Sequence, residues 1–109
     1  MLVVVDFPAL DPATPHAVTV GGDGARVAFL RSSALWVLTV ATASIQHIAD
    51  GPIGSFATDS DARIAAFTRN GKLLRADLVA GAVATVETHG PAEDPRPDPT
   101  GTHIGYVSN

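Results

Sequence analysis

An all-β fold is predicted by three features of this sequence. Its apolar runs are only four to eight residues long and rich in Val, Ile, Leu and Phe. Clusters of Gly, Pro, Asp and Ser interrupt them every 8 to 12 residues. A stretch of about 40 residues then recurs along the chain.

The strands implied by these runs are Ala17–Val20, Arg26–Ser32, Leu35–Ala41, Ser44–Ala49, Ser55–Thr58, Arg63–Arg69, Lys72–Leu78, Val83–Thr88 and His103–Ser108. Asn70-Gly71 marks a type I′ hairpin between two of them, because both central residues of that turn need positive φ. Gly21-Gly22-Asp23-Gly24 reads as a looser version of the same device. Leu35-Trp36-Val37-Leu38 is apolar on both faces, as expected of a strand with sheets stacked on either side. Trp36 and the phenylalanines are read as core, since large aromatics supply most of the buried area. Pro91–Pro99 is read as an extended connection at a sheet edge, its alternate prolines being unable to donate to a ladder. A polyproline ligand for an aromatic groove is the weaker reading of that segment.

The repeat decides the architecture. Ala25-Arg26-Val27-Ala28-Phe29-Leu30-Arg31 recurs as Ala62-Arg63-Ile64-Ala65-Ala66-Phe67-Thr68-Arg69, and more loosely as Thr102-His103-Ile104-Gly105-Tyr106-Val107-Ser108. String matching aligns Arg26 with Arg63 and His103, at spacings of 37 and 40 positions. From Phe29 and Phe67 onward the spacing is 38, which suggests a β-bulge at the extra alanine of the second copy. A period near 40 that holds about four short strands matches a β-propeller blade, whereas helical repeats of similar length need 3.6-residue periodicity. The expected fold is thus all-β, with antiparallel four-stranded blades of an incomplete β-propeller, about two and a half in number. Residues 1–109 form one partial propeller: one blade over about 17–50, a second over about 55–89, and the start of a third over about 93–109. Closing a ring takes roughly 160 residues even with four blades. The expectation is therefore a fragment of a larger protein, or a homo-oligomer in which other copies complete the ring.

Composition excludes several function classes. The formal net charge is -4, from 11 acidic and 7 basic residues scattered along the chain, so no footprint for nucleic acid or an anionic membrane is present. The absence of cysteine removes disulfides, thiolate metal sites and a cysteine nucleophile. Met1–Asp6 is apolar but too short for a signal-peptide core and lacks preceding positive charge. The run Ala34–Ala41 is far below the roughly 20 residues of a membrane-spanning helix. A cytoplasmic location is expected.

Each copy opens with a turn and strand of the form D-x-x-R-[VI]-A-F, in Asp23–Phe29 and Asp61–Phe67. Pro97-Asp98-Pro99-Thr100-Gly101-Thr102-His103-Ile104-Gly105-Tyr106-Val107 resembles the S-P-D-G-x-x-[IV]-A-[FY] signature of TolB-like and peptidase-type propeller blades. Asp77-Leu78-Val79-Ala80-Gly81 is similar to their D-L-x-x-G strand end. More narrowly, the ordered string of Val18–Ser32, Leu35–Thr42, Phe56–Leu78 and Asp94–Gly101 resembles the N-terminal propeller of bacterial dipeptidyl peptidase IV type enzymes, of the prolyl oligopeptidase family. The chain departs from that pattern in having Gly21-Gly22 for Ser-Pro, only the aspartate in Asp59-Ser60-Asp61-Ala62, and a short link from Asp50 to Phe56. The resemblance implies a non-catalytic propeller segment that gates or orients peptide substrates for a hydrolase domain, its partner, absent from this chain. A TolB-like module for protein-protein interaction is the alternative. The family's paired glutamates have no counterpart, since Glu87 and Glu93 are not adjacent.

No catalytic, cofactor-binding or metal-ligating residue is assigned. His16, His47, His89 and His103 are 31, 42 and 14 positions apart, without ligand spacing. Asp59-Ser60-Asp61 lacks the glycine of an aspartic-peptidase loop, and Arg63 stands where a calcium loop needs a third ligand. Both fall to the plain reading of a turn. Gly22-Asp23-Gly24 has Val27 where a dinucleotide fingerprint needs its third glycine.

Overall fold

The computed structural model describes residues 16–108, which contain ten strands and no helix. The Met1–Asp6 segment discussed above lies outside the described residues. The strands are β1 (His16–Val20), β2 (Arg26–Arg31), β3 (Ala34–Thr39), β4 (Ser44–Ala49), β5 (Phe56–Thr58), β6 (Ile64–Arg69), β7 (Lys72–Asp77), β8 (Val83–Val86), β9 (Ala92–Pro97) and β10 (Ile104–Ser108). All pairs are antiparallel. They form a first sheet of order β1-β2-β3-β4, a middle sheet of order β5-β6-β7-β8 and a third, two-stranded sheet of β9 and β10.

Boundaries differ from the sequence reading where a turn takes residues from a strand. Ser32 and Ser33 both have positive φ, 51° and 63°, and close a two-residue hairpin between Arg31 and Ala34. Asn70 and Gly71, at 54° and 77°, do the same between Arg69 and Lys72, as the Asn-Gly dipeptide predicts. One omission is larger. Ala92–Pro97 is a strand, not merely a connection: Pro97 pairs with Ile104 and Ala92 with Ser108. Among the described residues it has a partner on one side only, the position that prolines tolerate. Pro95 is fully buried and so is withdrawn from any external groove.

Hairpin pairing corrects the repeat alignment. Arg26 pairs with Thr39 and Ile64 with Asp77; Arg31 pairs with Ala34 and Arg69 with Lys72. The two hairpins therefore superpose at one constant offset of 38 positions, making Arg26 the equivalent of Ile64 and Ala25 that of Arg63. No register shift interrupts β5-β6 or β6-β7, so the extra alanine makes no bulge. Irregularities lie elsewhere, between His16 and Thr19, between Leu35 and Trp36, and between Gly105 and Val107.

Two cores result from the period-2 alternation of side chains. The main one joins Ala28, Leu30, Leu35, Val37, Ile48 and Ala49 of the first sheet to Ala65, Phe67, Leu74, Ala76 and Leu78 from the middle one. On the opposite face of the middle sheet, Ala66 and Leu73 meet Ala92, with Val86, Ile104 and Tyr106 packed against them. Equivalent positions serve equivalent ends: Ala28 and Leu35 point forward to the next sheet, as Ala66 and Leu73 do. Phe67 points back to the preceding sheet, as Tyr106 does. Each fully buried side chain of this size is worth ~1.5–3 kcal/mol over leaving it in water.

Trp36 departs from its expected role. Among the described residues it joins neither core cluster; it sits on the back face of the first sheet, its ring 4.9 Å from the His47 ring and 5.6 Å from the Arg31 guanidinium carbon.

Candidate functional site

Three turns that enter the second strand of each sheet converge at one end of the stack. Each is closed by the same two main-chain bonds. Gly21 N–H donates to Arg26 C=O at 2.9 Å, Asp59 N–H to Ile64 C=O at 3.1 Å, and Asp98 N–H to His103 C=O at 2.8 Å. Gly24, Ala62 and Gly101 donate back to the carbonyls of Gly21, Asp59 and Asp98, at 2.9, 3.3 and 3.0 Å. That fourth position takes φ of 73°, 53° and 74° in turn, which explains the glycine of the S-P-D-G pattern.

The first position carries the capping carboxylate. Asp59 is buried, and its Oδ1 accepts the amides of Arg63 and Ile64 at 2.8 and 3.0 Å. Asp98 Oδ1 accepts those of Thr102 and His103 at 2.9 and 3.3 Å. Gly21 cannot do this, and a side chain there is barred: a Cβ would stand 2.6 Å from the Asp61 carbonyl oxygen. Asp23 compensates by accepting the Ala25 amide at 3.0 Å.

Main-chain bonds also run from turn to turn. Gly22 N–H donates to Ser60 C=O at 2.6 Å, and Ser60 N–H donates to Pro99 C=O at 3.3 Å, with the Ser60 hydroxyl on the same carbonyl at 3.0 Å. Arg26 Nε adds a bond to Ala62 C=O at 3.3 Å. The ladder joins three equivalent residues and fixes the spacing of the sheets at this end.

Around Asp98 the turn is polar and exposed. Its carboxylate also takes the hydroxyls of Thr100 and Thr102, at 3.2 and 3.1 Å, and lies 3.4 Å from His103 Nδ1. Desolvation acts to raise the Asp98 carboxyl, but the amides of His103 and Thr102 and the two hydroxyls outweigh it and hold the group down to about 2. Asp77 is lowered as well, by the Ala80 and Val79 amides that it caps. This turn, ending in Gly81 at φ 83°, gives D-L-x-x-G its physical content.

The Thr-His-Asp contacts do not make a nucleophile relay. Thr102 Oγ1 at 3.1 Å and Asp98 Oδ2 at 3.4 Å both reach Nδ1 of His103, whereas a relay needs base and orienter on opposite ring nitrogens. What the arrangement does is present hydroxyls, an anion and an imidazole side by side on an exposed turn.

The other histidines of the sequence reading are not brought together. His47 pairs with Asp50 at 3.1 Å beside Trp36, His89 is exposed after β8, and His16 opens β1. Among the described residues no group of three His, Asp or Glu side chains is placed to hold a metal. Glu87 and Glu93 are exposed on separate segments. Sequence reasoning missed the turn ladder, which is built from main-chain groups and leaves no side-chain signature. The alignment of three S-P-D-G-like turns was its only visible trace. No family model matches the chain, and no curated protein matches it.

Proposed function

We propose that this chain is a run of β-propeller blades forming the non-catalytic segment of a dipeptidyl peptidase IV type serine exopeptidase. In this reading it gates or orients peptides for a hydrolase domain carried by other residues. The observation that carries the proposal is the repeated stacking: forward face on back face in one sense from sheet to sheet, with equivalent turns hydrogen-bonded to one another. Blades around a propeller axis stack in that way. The blade signatures in Asp98–Tyr106 and Asp77–Gly81 narrow the reading to the peptidase type, and the polar turn cluster offers a surface for peptide groups.

The test is immunoprecipitation from source cells with an antibody to the 91–103 segment, followed by labelling with a serine-directed fluorophosphonate. The expected result is a labelled species that turns over a dipeptidyl anilide. A precipitated species that neither labels nor turns over the anilide overturns the peptidase reading. The second reading, a TolB-like interaction module, is favoured by the exposed Val18, Val20 and Ile45 of the first sheet. It predicts a stoichiometric protein partner in the same precipitate.

A further inference from the structure

Three pairs in the chain place glycine directly after a side chain that ends in a carboxylate or carboxamide: Asp23-Gly24, Asp50-Gly51 and Asn70-Gly71. In such a pair the side-chain carbonyl carbon and the glycine nitrogen can close a five-membered ring, and glycine has no Cβ to crowd the approach. The structure engages two of the three side chains. Asp23 Oδ1 accepts the Ala25 amide at 3.0 Å, and Asp50 Oδ1 lies 3.1 Å from His47 Nε2. Both are also carboxylates, which are poor targets for a nucleophile. Asn70 differs on each count. Its carboxamide is a neutral electrophile, it is exposed together with Gly71 and Lys72, and among the described residues it holds no hydrogen bond.

Gly71 also forms a joint between sheets. Its carbonyl accepts the Ala92 amide at 3.0 Å, which ties the hairpin of β6 and β7 to the first residue of β9. The first sheet has the same joint, where Ser33, the equivalent of Gly71, accepts the Ile53 amide at 3.0 Å. That turn is Ser32-Ser33 and has no carboxamide. Of two equivalent joints, only the second carries a reactive pair.

We infer that Asn70 is a site of spontaneous modification by water, and that its conversion to isoaspartate loosens the joint between the middle and third sheets. The Gly71 main-chain nitrogen gives up its proton and attacks Asn70 Cγ. The N–Cγ bond forms, the Cγ–Nδ2 bond breaks, and ammonia leaves with that proton, closing a cyclic imide. Water then opens the ring. Addition at Cγ returns a normal peptide link with an aspartate side chain. Addition at the α carbonyl sends the main chain through Cβ and Cγ, one atom longer, and leaves the α carboxylate as the side group. In sum, one carboxamide and one water give one carboxylate and one ammonia. A two-residue turn with both residues at positive φ, 54° and 77°, closes on a fixed number of main-chain atoms. The extra atom displaces the Gly71 carbonyl from Ala92. The inference stands on this turn and its joint, and does not need the peptidase reading.

The test incubates the whole chain at mildly alkaline pH, below its denaturation temperature, and follows residue 70 by peptide mapping, with the free peptide Thr-Arg-Asn-Gly-Lys-Leu as reference. Asn70 should convert, more slowly than in the free peptide, because the hairpin must open before Cγ reaches the Gly71 nitrogen. In the isolated isoaspartate form the Ala92 amide should exchange its hydrogen about fivefold faster, as expected for the loss of one hydrogen bond, with the β2 amides unchanged as the control for an intact fold. Asn70→Ser, which copies the first sheet's turn, should hold its Ala92 exchange constant through the same incubation. Asn70→Asp should keep the exchange of the parent chain, which separates the longer backbone from the added charge. An Asn70 that stays intact while the free peptide converts completely overturns the modification site. Unchanged Ala92 exchange in the isoaspartate form, or equal acceleration in Asn70→Asp, overturns the loosening of the joint by the longer backbone.

Discussion

The first and middle sheets are built on one template 38 positions apart, yet they carry their load differently. The middle sheet is packed on both faces, with Phe67 at 0% exposure. The back face of the first sheet holds Phe29, which is 6% exposed, with Trp36 and His47, and among the described residues none of these joins a core cluster. The comparison teaches that the register of the central hairpin and the main-chain bonds of the turn that enters it are repeated, while side-chain identity follows what each face meets. Phe29 and Phe67 occupy the same hairpin position, and Trp36 stands where Leu74 does.

The largest effect should separate these two phenylalanines. Phe67→Ala should cost about 3–5 kcal/mol in urea denaturation, enough to unfold a small domain, because it opens a cavity between two sheets. Phe29→Ala should cost clearly less. Equal losses would mean that the first sheet's back face is as tightly packed as the core.

The capping carboxylates come next. Asp59→Ala removes a buried acceptor of two amides and should cost about 2 kcal/mol by the same measurement. Asp98 makes the equivalent contacts in the open, and its signature is pH. Its folded-state pKa, about 2, is depressed below the unfolded value, so its contribution is present above about pH 4 and fades as pH falls toward 2. Asp98→Asn should flatten the dependence of the denaturation midpoint over that window, and an unchanged profile would remove Asp98 from the account.

The hairpin turns offer a smaller, signed test. Ser33→Gly should stabilise by about 0.5–1 kcal/mol, because Gly adopts the positive φ without a Cβ penalty. Gly71→Ser should destabilise by a similar amount. Smallest of all is Ala62→Gly. Relief at φ 53° is offset by loss of a Cβ that is fully buried, so the midpoint should move by less than about 0.5 kcal/mol.

Much of this was legible in the sequence. Strand positions followed from short apolar runs, and Asn70-Gly71 announced its turn because its residue types are chemically distinctive. Ser32-Ser33 did not, since serine has no preference strong enough to mark positive φ; only its equivalence to Asn70-Gly71 reveals it. The string match of Arg26 to Arg63 was misleading because hairpin closure, not residue identity, sets the register. The two arginines sit one position apart in the repeat. β9 was hidden by its prolines, which argue against a central strand but not against an edge. Of the candidate site, the aspartates of the turns were visible as turn residues. Their capping of amides four and five positions on, and the ladder between turns, became visible only with the sheets stacked.

The turn ladder also governs where this chain tolerates change in length. Gly24, Ala62 and Gly101 are separated by 38 and 39 positions; Ile53 and Ala92 are likewise 39 apart, while Ala43 and Gly81, both at positive φ, remain 38 apart. The single added residue has therefore been absorbed between Gly81 and Ala92, away from the ladder. A residue inserted into any of the three turns would strand a main-chain donor in one sheet and an acceptor in its neighbour. Duplication and drift are thus channelled: the turns act as the chain's fixed ruler, and growth belongs to the link from β8 to β9.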